Sequence, residues 1–579
     1  MSVPHVLGCD HGQRGCIIFS RILADFTYCV TQRLKTATKI TGLRYWMARV
    51  LEECEHVATD FSADPVHDLR VSLRRCRSLA DGMMAMDPDR EWKAMKKAGK
   101  GLFQRLGALR DVQIMMEWIE KLHPQPVETT AFVTLPESPA SGNSAGEGAR
   151  ATFADPRAQA LFQILQAREN EQKGEARAAL DEFDRKQWRQ WSKSLPVRAA
   201  RIRPGSAVFK HLALERWTAA RELHTRAMRN RSQVAFHTLR IGIKRFRYIV
   251  ENFLPVEHKA WSNDLKHMQD LLGEVHDLDV LWATALSCHV FSDDASRKSW
   301  HERIIEERTK RIEEYRQSTV GPNSLWDEWR AGLPQGKQIQ QIGMQRMKLW
   351  AKALDPDFAH SERVARLALS LYDGLVGTGV LAGPLSEMSN GAGSEARASL
   401  NVAALLHDVG KSKGNKGHHK ESLELIKAHG TPLGWKVETM ARAAIVARFH
   451  AGALPTRSHK ALRDLLPEEQ KTTIQLAAIL RLANAFDAAH DGHIRKLQIE
   501  NVTAGKRRTN GFLRKPPKLG PNEALVIAAE GFVAGSSTAQ AIAAERYLLE
   551  TVLRRPVAVK AMKTAAPRQV STESNRIAS

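Results

Sequence analysis

Two stretches of the chain combine a histidine with a row of cations at helical spacing. They read HDLRVSLRRCR at His67–Arg77 and HTLRIGIKRFR at His237–Arg247. At about 100° per residue, His67, Arg70, Arg74 and Arg77 share an arc of roughly 80°, and so do His237, Arg240, Lys244 and Arg247. The apolar residues Leu69, Leu73, Cys76 and Ala80, and their counterparts Leu239, Ile243, Phe246 and Val250, form a separate stripe. Each helix therefore packs by one stripe and presents a ladder of cations beside it. Arg75 and Arg245 fall outside the ladder, at its other margin. Successive rungs rise by about 4.5–6 Å, a step that a chain of phosphates can bridge, and guanidinium forks match phosphate oxygens. The leading histidine can donate a hydrogen bond, or carry charge once phosphate raises its pKa. Like charges three and four residues apart repel. Asp68 is the only carboxylate in the first stretch and the second has none, so an ordinary solvated face is the weaker reading.

The motif recurs 170 positions on, from His67 to His237 and from Arg70 to Arg240. A second matched pair follows in the same order, LGALRDVQ at Leu106–Gln113 and LGEVHDLD at Leu272–Asp279. Two blocks repeated in order point to a duplication. HDLRVSLRRCR and HTLRIGIKRFRY resemble the CHAD family (conserved histidine α-helical domain), over roughly residues 25–320. That resemblance implies two helical bundles around a basic pore or groove that holds inorganic polyphosphate. By resemblance the binding residues are His67, Arg70, Arg74, Arg75 and Arg77, with His237, Arg240, Lys244, Arg245 and Arg247. Lys93, Lys97, Lys100 and Arg105 are additional candidates in the first half, and Lys266 and His267 in the second.

A different constellation occupies the C-terminal half: HSERVA from His360, LLHDVGK ending at Lys411, HHKESLELI from His418, ARFH ending at His450 and LAAILRLANAFD ending at Asp487. His-Asp occurs four times in the chain, but only His407-Asp408 ends an apolar helical run and meets a glycine two residues later. This context resembles the HD superfamily of metal-dependent phosphohydrolases. Within that superfamily the order of blocks is similar to the C-terminal region of the exopolyphosphatase/guanosine pentaphosphate phosphohydrolase family. The resemblance implies His407 and Asp408 as the catalytic pair, and His360, His407 and Asp408 as ligands of a divalent metal such as Mn, Mg, Fe or Zn. Where the superfamily places a further Asp, this chain has Asn484. Asp487, one turn on, is the substitute, so the fourth position is read as Asn484 or Asp487. His418, His419 and His450 are accessory candidates for phosphate or a second metal. That family's actin-like phosphatase domains have no counterpart in the sequence, so catalysis cannot be carried over from it.

These motifs need helices to place them. Helical periodicity runs through most of the chain, and alternation appears only near Ile494–Val502 and Ala524–Gly531. The expected architecture is mainly α. A duplicated helical-bundle CHAD domain over 25–320 follows an irregular N-terminus over 1–24, and a flexible insertion interrupts it at about 124–156. After a linker at 321–338 come an all-α HD domain over 339–493, a small α+β element over 494–562 and a disordered tail over 563–579. Lys plus Arg number 86 against 64 Asp plus Glu, a formal charge of +22 that attracts polyanions of any kind. Its six cysteines form no C-x-x-C pair, and no run of eighteen apolar residues exists, which suggests reduced thiols, no membrane span and a cytoplasmic protein, located at polyphosphate granules if it binds that polymer. The basic helices lack the interleaved aromatics that stack nucleic-acid bases. The expected function is polyphosphate binding coupled to an HD-type phosphohydrolase domain, intact or degenerate. The alternatives are a non-catalytic scaffold for polyphosphate granules and a nucleic-acid-binding HD nuclease or nucleotidase.

Overall fold

The computed structural model describes residues 42–123, 153–381, 392–500 and 524–562. The expected irregular N-terminus, nearly all of the insertion, residues 501–523 and the tail lie outside these residues. The fold is mainly α, with one small sheet near the C-terminal end. Chain contacts divide it into two units, which meet between Gln335 and Gly336. Among the described residues no helix is long and apolar enough to cross a membrane.

The first unit begins with α1 (Leu43–Thr59), α2 (Ala63–Met84), α3 (Arg90–Ala98), α4 (Lys100–Leu122), α5 (Pro156–Asp181) and α6 (Arg185–Ala199). It continues with α7 (Ala207–Asn230), α8 (Gln233–Phe253), α9 (Pro255–Ser287), α10 (Asp294–Thr319) and α11 (Leu325–Ala331). The repeated basic stretches lie on α2 and α8, and the second repeated blocks on α4 and α9. Every residue of the two apolar stripes is fully buried, Leu69, Leu73, Cys76 and Ala80 on α2 and Leu239, Ile243, Phe246 and Val250 on α8. Burying them fixes the azimuth of each helix, and the azimuth fixes where the cations point. Residues 321–338, expected as a linker, contain α11. Its Trp326 and Trp329 are wholly buried, and aromatic side chains of that size outweigh the local Pro and Gly signals.

The two halves of the duplication meet directly. One stripe of α2, made of Arg75, Ser78 and Gly82, faces the last turn of α8. Arg75 forms an ion pair with the buried Glu251, and Asn252 donates to Ser78 Oγ at 2.8 Å. A Cβ on Gly82 would lie 2.2 Å from the ring of Phe253, which itself stacks on Phe209 at 4.2 Å. An apolar cluster then joins α4 and α5 of the first half to α9 and α10 of the second, through Trp118, Ile119, Leu161, Leu278, Leu281 and Trp300. The described cysteines, Cys54, Cys76 and Cys288, are free thiols.

The second unit contains α12 (Lys337–Leu354), α13 (Phe358–Gly377), α14 (Ala392–Leu406), a 3-10 turn at Val409–Lys413, α15 (His418–His429), α16 (Val437–Arg448), the short α17 (Lys460–Arg463) and α18 (Pro467–Phe486). Strands β1 (Leu497–Glu500), β2 (Leu525–Ala529) and β3 (Val557–Ala561), with α19 (Ser537–Leu553) between the last two, complete it. β1 pairs antiparallel with β2, Leu497 opposite Ala529, and β3 adds parallel to β2, Leu525 opposite Val557. The parallel step requires a crossover, which α19 supplies. Gly374 of α13 gives Ile499 room to pack, so the sheet continues the core of the helical part.

The contact between halves sets a first prediction. Gly82→Val drives a branched side chain into a ring that cannot swing away from Phe209. It should lower the stability of the first unit by about 2–3 kcal/mol, read as an earlier denaturant midpoint of that unit's unfolding transition. Unchanged stability would show that the α2–α8 contact is loose.

Candidate functional site

Four helices of the first unit surround a cavity of about 360 Å³. Helix α2 contributes His67, Arg70 and Arg74, and α8 contributes Arg240 and Lys244. Helix α4 adds Phe103, Arg110 and Asp111, and α9 adds His276 and Asp277. Both halves of the duplication thus supply cations to one space. Arg110 matches His276 and Asp111 matches Asp277 in the second repeated block, so these groups too come in duplicated pairs. The sequence showed that block to be repeated, but not that it faces the ladder.

Local packing orients the cations. Arg70 Nη1 donates to the carbonyls of Leu106 at 2.9 Å and Gly107 at 2.8 Å. Arg70 also packs over Gly107, and Arg240 packs over its repeat partner Gly273, each within ordinary contact distance of where a Cβ would stand. Two aromatic rings each underlie two cations: Phe103 lies beneath Arg70 and Arg77, and Tyr248 beneath Arg74 and Lys244. Arg74 Nε and the Tyr248 hydroxyl are buried without a hydrogen-bond partner.

The remaining sequence candidates are placed differently. Arg77 donates to the carbonyl of Lys96 at 2.9 Å, beyond the cavity wall. His237 stands against His276, with Nδ1 atoms 3.2 Å apart. Arg247 approaches Glu251 at 3.7 Å, and Arg75 is occupied by the same carboxylate. Arg245 is exposed, as are Lys93, Lys97, Lys100 and Lys266. Arg105 pairs with Glu175 and His267 with Glu314. None of these lines the cavity.

The electrostatics are those of crowded cations held partly out of water. Burial, with Arg240, Arg74 and Arg70 nearby, lowers the Lys244 pKa to about 8. His276 falls to about 4 through burial and the charges of Arg240, His237 and Lys244, and His67 is lowered through desolvation and Arg74 and Arg110. Burial raises Asp277 to about 6, with Asp111 and Glu274 adding to the rise against the pull of Arg240 and Arg110. A cationic cavity with these properties is short of negative charge, and a multivalent anion supplies it.

The second unit gathers its polar groups around Asp408. His360 ends the first turn of α13, where the Asp357 side chain caps the helix and accepts from the His360 amide. His407 and Asp408 follow α14, and His418 starts α15. Gly410 makes that placement possible, because a Cβ there would lie 2.0 Å from the His418 carbonyl. His360 Nε2, His407 Nε2 and an Asp408 oxygen lie within 4.8 Å of one another, and so do Asp408, His418 and His450. His407, His418 and His450 each turn Nδ1 to a backbone carbonyl, of Ala404 at 2.7 Å, Asn415 at 2.8 Å and Ala447 at 2.7 Å. Those bonds keep the proton on Nδ1 and leave Nε2 facing Asp408, the tautomer that ligates metal. The Nε2 atoms of His418 and His450 stand 3.0 Å apart, and 3.3 and 3.5 Å from Asp408 Oδ1. His407 Nε2 is buried with no hydrogen-bond partner. Against the opposing effect of burial, His407, His418, His450 and Lys411 hold the Asp408 carboxyl far below the usual range. Asp408 favours a proton on His418, raising its pKa; with that proton gone, imidazole Nε2 atoms around an ionised carboxylate are a donor set that fits a divalent cation.

Asn484 and Asp487 both reach His360, at opposite ring nitrogens. Asn484 Oδ1 lies 2.9 Å from Nε2, on the side of Asp408, whereas Asp487 Oδ2 lies 2.7 Å from Nδ1. Asp487 also accepts from Arg363 Nε at 2.9 Å. Its place is behind the imidazole, as a carboxylate that orients the ring, and Asn484 occupies the position of a ligand atom. His419 packs its ring on Gly452. His490, not singled out from the sequence, stacks on His360 at 3.8 Å and bonds Asp357 at 2.7 Å.

The family model for the CHAD domain matches residues 43–286, and the model for the Ppx/GppA phosphatase, domain III, matches residues 344–525. No curated protein matches the chain. The two-part architecture expected from the motifs, a CHAD domain followed by a Ppx/GppA-type C-terminal domain, is the architecture of the chain.

Lys244 supplies a pH test of the cavity. A bound anion stabilises the charged amine and raises its pKa above the free value of about 8. Below that pH the amine is charged in both states and contributes fully; above it, binding must take up a proton and the affinity falls. Calorimetry with tripolyphosphate in buffers of different ionisation enthalpy should show proton uptake appearing as pH rises through about 8, and Lys244→Arg should remove it. Asp277, raised to about 6, contributes its own uptake at lower pH, so it is an uptake around pH 8 left unchanged in the variant that would exclude Lys244 from the site.

Proposed function

We propose that the first unit binds inorganic polyphosphate in the cavity shared by α2, α4, α8 and α9, and that the second is an HD-type phosphohydrolase centre built around a divalent metal. One observation carries the first part: duplicated cations from both halves of the unit converge on one desolvated space. A linear polymer of evenly spaced oxyanions matches a row of guanidinium and ammonium groups that repeats along the helix. Arg70, Arg74, Arg240 and Lys244 make the main contacts, and Arg110 and the two histidines His67 and His276 complete the wall. Arg75 holds the halves together, so its loss weakens binding through the fold. The match of the first unit to the CHAD domain supports this reading.

In the second unit His360, His407, Asp408 and Asn484 would hold the metal, with Asp487 behind His360. When bound, such an ion lowers the pKa of a coordinated water and polarises a phosphoryl oxygen. The chain's own groups do the rest. Backbone carbonyls fix the imidazole tautomers, and Lys411, bonded to Asp408 Oδ2 at 2.6 Å, places a positive charge at the mouth of the carboxylate. The match to a phosphatase C-terminal domain supports phosphate chemistry here. Asn484 in place of an acid removes one negative charge and weakens the hold on metal. That residue favours a second reading, in which the unit is a scaffold at polyphosphate granules with no catalysis.

Long-chain polyphosphate should outcompete RNA of equal charge at moderate salt, since non-specific phosphate binding collapses as salt rises. Arg74→Glu with Lys244→Glu should abolish the binding while the circular dichroism spectrum is kept. Equal competition by RNA would reduce the cavity to a non-specific cation trap. For the second unit, metal analysis of the purified protein should find divalent ion that His407→Ala removes. If none is found and added Mn or Mg yields no phosphatase activity, the scaffold reading stands.

A further inference from the structure

The loop that carries His450 is tied to the C-terminal helix. Arg481, on α18 and almost fully buried, reaches both sides of His450: Nη1 donates to the Phe449 carbonyl at 3.2 Å and the Gly452 carbonyl at 3.1 Å. Its Nε donates to Glu545 Oε2 at 2.7 Å. Glu545 is on α19, past residue 525, where the match to the phosphatase domain ends. Gly452 has a left-handed φ of 74° and leaves no room for a Cβ against His419. The loop is thus pinned by a guanidinium on one face and an imidazole on the other.

We infer that Glu545 is a positioning residue for His450, acting through Arg481, so that the C-terminal α+β element controls the Asp408–His418–His450 side of the centre. This rests on the reading of that centre as a metal site and extends it to a second ion, held by Asp408, His418 and His450, whose donor atoms lie within 4.8 Å of one another. The physical argument is one of alignment. A buried guanidinium without its carboxylate must find another partner or move toward water, since an unpaired buried charge is costly. Either response pulls its other nitrogen from the carbonyls of Phe449 and Gly452. The ring keeps its Nδ1 bond to Ala447 and its contact with His418 Nε2 at 3.0 Å, but the backbone that carries it shifts, so its Nε2 would be displaced relative to Asp408 Oδ1. His360 and His407 sit on other elements and keep their places.

The test is Mn²⁺ titration of the full chain by calorimetry, with His418→Ala marking the ion held by Asp408, His418 and His450. Removal of such an outer carboxylate typically costs 10–100-fold in metal affinity. Glu545→Ala should therefore weaken that ion by about tenfold or more and leave the ion at His360–His407–Asp408 within about twofold, and Glu545→Gln, which keeps an acceptor for Arg481, should restore most of the loss. Wild-type affinity at both ions in Glu545→Ala overturns the inference. So does an equal loss at both without rescue by Gln, which marks general destabilisation. If the wild type holds no ion, the metal reading fails by itself. The positioning is then decided by the ring signals of His450 in ¹⁵N-histidine-labelled protein: a changed Nδ1–H signal in Glu545→Ala supports it and an unchanged one overturns it.

Discussion

The first unit is organised by the repulsion among cations that share a small, poorly hydrated space. Nothing about a helix face forces Arg70, Arg74, Arg240 and Lys244 together; left to themselves, such side chains would spread into water. They converge because the apolar stripes of α2 and α8 must be buried, and burying both turns the ladders toward each other. The backbone and the aromatics then hold what charge would scatter. Carbonyls of Leu106 and Gly107 on α4 take the Arg70 guanidinium, and the rings of Phe103 and Tyr248 each lie under two cations. Burial first, and then the neighbouring Arg240, Arg74 and Arg70, depress the Lys244 pKa. A ligand with several negative charges relieves this crowding at once, and that is the sense in which the empty cavity specifies its occupant.

The second unit poses the reverse problem. One carboxylate, Asp408, is ringed by imidazole nitrogens whose protons have been directed elsewhere by Ala404, Asn415 and Ala447. Lone pairs that face one another across 3.0 Å, as on His418 and His450, need a proton or a cation between them. Lys411 and Arg363 bring positive charge to Asp408 and Asp487, but neither reaches His407 Nε2, which stays buried and unpaired. Between the His418 and His450 rings, Asp408 favours a proton on His418, and a bound cation would take over that place.

Much of this was legible in the sequence, because periodicity survives folding. The stripes of α2 and α8 are buried residue for residue, and the ladder residues nearest their middle line the cavity. What periodicity cannot give is the direction in which a helix margin looks. Arg75 lies beside the ladder on the helix wheel, but that margin faces the other half of the duplication, so its guanidinium joins the two halves. Arg110, Asp111, His276 and Asp277 were visible as a repeat and not as a wall, since only the packing of α4 and α9 turns them inward. Asn484 and Asp487 illustrate the same limit within one helix turn. Both reach His360, and a difference of three residues decides which ring nitrogen each one meets. The stretch 321–338 read as a linker from its prolines and glycines; the boundary between the two units falls within it, and it also carries α11, whose Trp326 and Trp329 are wholly buried.

Asp111 and Asp277 remain, carboxylates inside a cavity built for anions. They occupy equivalent places in the two repeats, so the duplication has kept both. In the empty cavity they are the nearest counter-charges to Arg70, Arg240 and Lys244, and they soften the repulsion that would otherwise open the wall. Once an oxyanion enters, the same carboxylates oppose it. Asp277, already raised to about 6, answers by taking a proton at little cost. The pair thus offsets part of the cavity's positive charge, and would temper the hold on an anion relative to the cations alone. Under the proposed polyphosphate reading, a site that must release its polymer as well as grip it is better served by that balance than by a wall of unopposed charge.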